Sequence, residues 1–271
     1  MNNSNMLNNS VIIDKRADGV ALVIINKPAR RNALDPHLMD DLTDAFQTLD
    51  DDNEVKVIIL KGQGDHFSSG GDLKAIEPGP RPIEEKRKML RRYARTIQAI
   101  QNMDKPVIAM VKGYAVGGGM SLALACDLIL ASEDARFSCN FLKVGIVPEM
   151  GAMLFLPQAL GLYRAKDLWF TGRIVEAAEA RAMGFVNQVF PSEEIEAATI
   201  SLAQELALLP SVSLRITKRI ANATVNHMLN TILDCEAQSS PFCSESDDHK
   251  AYVESFRHKK KASENISDPT A

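Results

Sequence analysis

Apolar residues along the chain recur with two different periods. Val11 to Ile13 and Ala21 to Ile25 are short β-branched runs flanking Asp18-Gly19, which predicts a hairpin. Asp35-Pro36 supplies an N-cap with proline at the first helical position, and Leu38, Leu42, Phe46 and Leu49 follow at helical spacing. Val55 to Leu60 is a continuous apolar strand. A second amphipathic helix is marked by Leu90, Tyr93, Ile97 and Ile100. Pro106 to Val111 reads as a buried strand, a helix of small residues begins near Gly118, and Leu128 to Ala131 reads as a strand again. This alternation lasts to about residue 190 and predicts an α/β domain with crossover connections.

From Ser192 onward the pattern is helical throughout. Ile195, Ala198, Leu202, Leu206 and Leu209 share one face, and Pro210 ends that helix. A long helix is predicted over Val212 to Gln238 and a last one from about Asp247 to Lys261. The chain therefore divides into a core over 11–191 and a helical region over 192–271 that packs on the core or on a neighbouring subunit. Residues 1–10 are rich in Asn and Ser, lack the apolar stretch of a signal peptide and the Arg-rich face of a transit peptide, and read as a disordered leader. There is no short internal repeat.

Composition narrows the function classes. With 45% hydrophobic and 24% charged residues in 271, the chain is of ordinary globular composition. A formal net charge of −4 argues against a nucleic-acid protein, so a phosphate-bearing substrate would need a local basic patch. Cys126, Cys139, Cys235 and Cys243 have neither C-x-x-C nor zinc-like spacing and read as thiols of a reducing compartment. The longest apolar segment, Gly117 to Ala131, is interrupted by Ser121 and Asp127 and is too short and polar to span a bilayer. The terminal Asp268-Pro269-Thr270-Ala271 is not a peroxisomal address, and a cytoplasmic location is the default expectation.

Two glycine-rich turns carry the candidate chemistry. One is Phe67-Ser68-Ser69-Gly70-Gly71-Asp72-Leu73-Lys74, after the strand ending at Leu60. The other is Gly113-Tyr114-Ala115-Val116-Gly117-Gly118-Gly119-Met120, after the strand ending at Val111. Glycine at strand ends lets backbone approach a ligand closely. Neither turn matches a P-loop or dinucleotide fingerprint, and each read alone is equally a structural turn.

Taken together, the turns resemble the two signatures of the crotonase (enoyl-CoA hydratase/isomerase) superfamily, over Lys61 to Lys74 and Gly113 to Asp127. Asn26 to Leu34 resembles the family's opening motif; Phe170-Thr171-Gly172 with Glu176-Ala177 and Ala180 to Val186, and Phe256 to Lys261, also fit in order. The resemblance covers roughly residues 11 to 262. It implies a crotonase-like spiral of β-β-α repeats stacked into two near-perpendicular sheets, then a helical region that mediates a homotrimer or a dimer of trimers. It implies an acyl-CoA thioester as substrate, coenzyme A entering as part of it, and no metal or redox cofactor.

The resemblance further implies an oxyanion hole of two backbone N–H groups, matched by position to Ser69 and Gly118. Such donors stabilise the thioester oxygen as it becomes an enolate, and losing one costs about 3–4 kcal/mol in comparable sites. The coenzyme A arm is expected along Ala29, Arg30, Arg31 and Ala33 of the opening motif and along Gly70, Asp72 and Leu73 of the first turn, with Tyr114 and Gly117 in the second. Arg30 and Arg31 are candidate phosphate partners, and Phe256 and Lys259 match positions that reach the nucleotide end; as solvated basic residues Arg31 and Lys259 would be equally ordinary.

The hydratase members use two carboxylates. Their positions here are Ser121, three residues past the oxyanion glycine, and Phe141, four after Phe137, and neither can act as a base. Both are expected to line the acyl pocket. Glu149, in Gly145-Ile146-Val147-Pro148-Glu149-Met150-Gly151, stands where members that shift double bonds carry an acid. One base suffices for isomerisation, taking a proton from C2 of a 3-enoyl thioester and returning it at C4, provided burial raises its pKa toward neutrality. Glu149 also precedes a predicted helix, Gly151 to Leu160, where an acid stabilises the N-terminus. Asp65, Asp127 and the carboxylate of Asp72 read as structural, and His66 as exposed. The readings carried forward are an enoyl-CoA isomerase using Glu149, a hydratase or other acyl-CoA lyase or hydrolase of non-standard arrangement, and a non-catalytic acyl-CoA binder or scaffold.

Overall fold

A computed structural model describes residues 4–7, 10–72 and 82–255. Its larger sheet has seven strands: β1 (Ser4–Leu7), β2 (Val11–Lys15), β3 (Val20–Ile25), β4 (Val57–Gly62), β5 (Val107–Val111), β7 (Leu128–Ser132) and β10 (Gln188–Phe190), in that spatial order. The β1–β2 and β2–β3 pairs are antiparallel, and β3, β4, β5, β7 and β10 run parallel. The predicted hairpin closes at Asp18-Gly19, with Val11 opposite Ile25. A smaller sheet joins β6 (Tyr114–Val116), β8 (Arg136–Ser138) and β9 (Val175–Glu176).

The apolar runs lack a polar face because both faces of the large sheet are covered. Alternate residues go to opposite sides: Ile58, Leu60, Val107 and Ala109 join the main core under α1 (Pro36–Asp51) and α2 (Ile83–Asn102). Val57, Ile59, Ile108 and Met110 join a second core under α7 (Ile195–Ala207). Asp35 caps α1 as expected, its Oδ1 accepting from the N–H groups of His37 and Leu38 at 3.0 Å each. The short helices α3 (Gly118–Leu124), α4 (Ala152–Leu160), α5 (Leu162–Thr171) and α6 (Ala177–Met183) carry the chain between the sheets, and α8 (Ser211–Cys243) closes it. Residues 247–255 are helical again.

Three expectations change. Ser4–Leu7 is not a structureless leader but an edge strand on β2, because backbone pairing places no demand on side-chain polarity. On α7 the buried stripe is Ile195, Thr199, Ala203 and Ala207, one position away from the predicted leucine face, and Leu209 is exposed. Small residues let the helix approach the sheet closely while Leu202 and Leu206 pack at its flanks. Helix α8 continues past Gln238 to Cys243.

Helix α8 is anchored to the core by a buried ammonium. Lys218 Nζ donates to the carbonyls of Ile100 and Lys105 at 3.0 and 2.9 Å and to Asp127 Oδ2 at 2.7 Å. The same Asp127 oxygen accepts from the N–H of Val107 at 2.7 Å, so α2, β5 and the start of β7 meet the helical region at one point. Asp127 is structural, as read from the sequence.

Candidate active site

The opening motif forms a left-handed corner. Arg31 and Asn32 have φ of 50° and 54°. Asn32 is fully buried and its amide is used throughout: Oδ1 accepts from Lys27 N–H at 2.9 Å, and Nδ2 donates to the carbonyls of Gln63 and His66 at 3.0 and 2.6 Å. A buried amide so satisfied fixes the corner and presents three successive carbonyls, those of Arg30, Arg31 and Asn32, to the first glycine turn.

That turn is zipped between two neighbours. Ser68 N–H donates to Tyr114 O at 2.9 Å and Val116 N–H to Ser68 O at 3.1 Å; on the other side Leu34 N–H donates to Gly70 O and Asp72 N–H to Leu34 O, both at 2.8 Å. Glycine is required where the turns meet. A Cβ on Gly70, whose φ is +85°, would lie 2.4 Å from Val116 O, and one on Gly119 would lie 2.5 Å from Ser68 O.

The zipper corrects one half of the expected oxyanion pair. The N–H of Ser69 is committed to Arg31 O at 2.9 Å, so Ser69 is not an available donor. Gly71 is. In its parallel bridge with Leu34 the ladder bonds go to Gly70 and Asp72, which leaves the N–H of Gly71 on the opposite edge. Gly118, the first residue of α3, has an N–H with no intrahelical partner. Among the described residues neither of these N–H groups meets an acceptor, and both glycines line one cavity.

The cavity has a volume of about 100 Å³ and is walled by Leu34, Tyr93, Phe141, Val144, Ile146 and Met150, with Ser69, Gly70, Gly117 and Asn140 at its polar side and Glu149 inside. Phe141 lines it as expected; Ser121 does not. Ser121 is fully buried, with its hydroxyl donated to the main-chain carbonyl of Glu149 at 2.8 Å, so the residue at a hydratase carboxylate position here braces the Glu149 turn from behind.

Glu149 faces the cavity and does not cap α4. The turn that follows is left-handed at Met150 (φ 60°) and Gly151 (φ 79°), and no side chain caps the helix. Burial pushes the Glu149 carboxyl up to about 7, against a hydrogen bond from Ser240 Oγ that lowers it. Behind it lies a second acid that the sequence reading passed over. Glu236 of α8 is buried, and its Oε1 and Oε2 accept from Gly151 N–H at 3.1 and 3.2 Å. Burial raises its pKa to about 8, assisted by the negative charge of Glu149. A charged residue on the buried stripe formed with Leu229, Leu233, Ala237 and Ser240 was the available signal.

The remaining candidates lie outside the acyl cavity. Ala29, Arg30 and Arg31 are exposed on the opening motif, Ala33 is buried beneath it, and Arg30 is paired with Asp72 at 2.8 Å. Tyr114 is half-buried and packs on His66, ring centroids 4.9 Å apart, so His66 is half-buried and not exposed as read. Leu73, Phe256 and Lys259 lie outside the described residues. No single helix among the described residues is long and apolar enough to cross a membrane.

Comparison with known proteins bears on the family and the fold. The family model for enoyl-CoA hydratase/isomerase matches residues 15–264. A putative enoyl-CoA hydratase of Thermus thermophilus is 36% identical over 242 residues, covering 89% of this chain and 95% of the relative. A crotonyl-CoA hydratase of Syntrophomonas wolfei is 31% identical over 252 residues, covering 93% and 96%. The crystal structure of an enoyl-CoA hydratase from Mycobacterium avium subsp. paratuberculosis K-10 superposes with a TM-score of 0.83 at 32% identity, covering 92% of this chain and 96% of that one.

The raised acid gives a pH dependence of stability with a definite sign. A carboxyl whose folded-state pKa lies above the unfolded value of 4.5 favours folding while protonated; that contribution is full below 4.5 and is lost as pH rises through about 7. Replacing Glu149 with Gln removes the loss. The melting temperature of Glu149→Gln relative to wild type is expected to climb between pH 5 and pH 8, and parallel wild-type and variant curves over that range would contradict burial of the carboxyl.

Proposed function

The chain belongs to the enoyl-CoA hydratase/isomerase family of acyl-CoA-processing enzymes, and from that premise we propose that it moves the double bond of an enoyl-CoA thioester with Glu149 as its single acid/base. The observation that carries this is the position of Glu149: a carboxyl raised to about 7 in a largely apolar cavity that it shares with Gly71 and Gly118 and in which it is the one carboxyl among the described residues. The N–H groups of those glycines form the proposed oxyanion hole. As the carboxylate of Glu149 takes a proton from C2, negative charge moves onto the thioester oxygen, where two preorganised donors stabilise it. The same carboxyl, now protonated, delivers the proton to C4 of the dienolate. No metal or redox group has a role in this step, and coenzyme A enters as the carrier of the acyl chain.

The proposed coenzyme A path runs over the exposed Ala29–Arg31 corner and the first glycine turn, with Arg31 as a phosphate partner and Phe256 and Lys259 toward the nucleotide. Arg30 is less suited, since Asp72 already holds its guanidinium. A second reading, hydration of a 2-enoyl thioester, is favoured by the names of the relatives. Against it stand Ser121 and Phe141, which leave Glu149 without a second carboxylate in the cavity.

Glu149→Gln is expected to lower the rate of 3-enoyl-CoA isomerisation about 100- to 10,000-fold, the usual contribution of general acid–base catalysis, with acyl-CoA affinity largely unchanged. Full activity in the variant contradicts the assignment; acyl-CoA binding without turnover in the wild type favours a non-catalytic binder. Hydration of 2-enoyl-CoA is expected to be weak in both.

A trimeric assembly is proposed as well. Leu162, Tyr163 and Phe170 on α5 and Val212, Ile216 and Ile220 on α8 are exposed apolar side chains of the kind an interface covers. Light scattering at micromolar concentration is expected to give three or six chain masses, and a monomer would refute the assembly.

A further inference from the structure

Glu236 lies 87 residues beyond Glu149 in the chain, on the helical region, yet the two carboxyls face one small space. That second cavity, about 10 Å³, is lined by Glu149, Met150, Tyr93, Leu233, Glu236 and Ala237. Glu236 does not line the acyl cavity, so it does not touch the reacting atoms. One helical turn separates it from Ser240, and between them the two side chains hold the residues on either side of Met150. Glu236 accepts from the N–H of Gly151, while Ser240 Oγ donates to Glu149 Oε1. Met150 is a non-glycine residue at positive φ, a conformation that persists only where surrounding contacts impose it.

We infer that Glu236 is the positioning residue of Glu149: from α8 it imposes the left-handed turn that aims Glu149 into the acyl cavity and shares with it a single negative charge. This rests on Glu149 being the acid/base. Two carboxyls facing one low-dielectric space do not ionise independently, and the pair titrates as a unit. The groups facing Glu149 are Tyr93 from α2, Ser121 from α3, and Glu236 and Ser240 from α8; no cation acts on either carboxyl among the described residues. Tyr93 donates its hydroxyl to Leu34 O at 3.2 Å and stays neutral, burial and the neighbouring Glu149 charge both pushing its pKa upward. Among the described residues, the nearby charge able to respond to Glu149 is therefore that of Glu236. The family's acyl-pocket chemistry and the helical region are thus coupled through a carboxyl outside the pocket.

The test is a carboxyl titration of the full chain, followed by NMR with 13C-labelled glutamate, the two resonances assigned by their disappearance in Glu149→Gln and Glu236→Gln. Glu149 ionises first of the two, and its charge then opposes ionisation of Glu236, so the Glu236 midpoint is expected to fall by about one pH unit in Glu149→Gln. Glu236→Ala, which leaves the N–H of Gly151 without its acceptor, is expected to lower kcat while KM stays, and Glu236→Gln, which keeps an oxygen there, to restore it. A folded Glu149→Gln whose Glu236 midpoint does not fall overturns the inference. Should that variant not fold, the wild-type titration decides: each carboxyl resonance is expected to report both steps, and two independent single-step curves overturn the inference. Absence of isomerisation in the wild type counts against Glu149 as the base, and the titration still decides whether the carboxyls are coupled.

Discussion

A carboxyl taken out of water without a cation beside it is held there only by the packing of everything around it, and this molecule does so at Glu149. Removing an ion from solvent costs several kcal/mol even after relaxation, so the group stays protonated up to about neutral pH. The means are local and specific. Ser121 from α3 holds the Glu149 carbonyl, Ser240 from α8 meets its carboxyl, and Glu236 holds the N–H of Gly151. A helix that follows the whole sheet in sequence thus braces from behind a site whose lining lies between residues 34 and 150. The Lys218 ammonium, buried among Ile100, Lys105 and Asp127, fixes the same helix to the core two dozen residues earlier.

The opposite wall is built from backbone. Asn32, fully satisfied and buried, turns the opening motif so that its carbonyls take the donors of the first glycine turn, and the second turn takes the rest. What this zipper leaves over is as informative as what it uses. The left-handed bend at Gly70 breaks the alternation after Ser69, and beyond it the donor of Asp72 goes to Leu34, which leaves that of its neighbour Gly71 on the opposite edge, toward the cavity. The residues that carry the family resemblance are largely joints of this kind, and the chemistry falls to the groups the joints leave free.

Much of this was legible in the sequence. The parallel strands announced themselves as unbroken apolar runs because both faces of the sheet are covered, and Asp35-Pro36 marked the start of α1 by its capping chemistry. Glu149 could be singled out because the other two carboxylate positions were occupied by Ser121 and Phe141. The short strands β6, β8 and β9 escaped, since two or three residues carry no period. The donor assignment failed at Ser69 because its N–H is taken by Arg31, across a left-handed bend at Gly70, and no local pattern reveals that partner. Glu236 was hidden by distance: only the fold shows that α8 brings an acid behind Glu149, although an acid on an apolar stripe was itself a sign.

The central claim is that one buried carboxyl both removes and returns the proton. It is tested most directly with a 3-enoyl-CoA deuterated at C2, turned over once by the wild-type protein in ordinary water. The account predicts deuterium at C4 of the 2-enoyl product, because the acid formed at Glu149 is shielded from solvent while the dienolate is held. Double-bond migration with no deuterium at C4, or no migration at all, would contradict it.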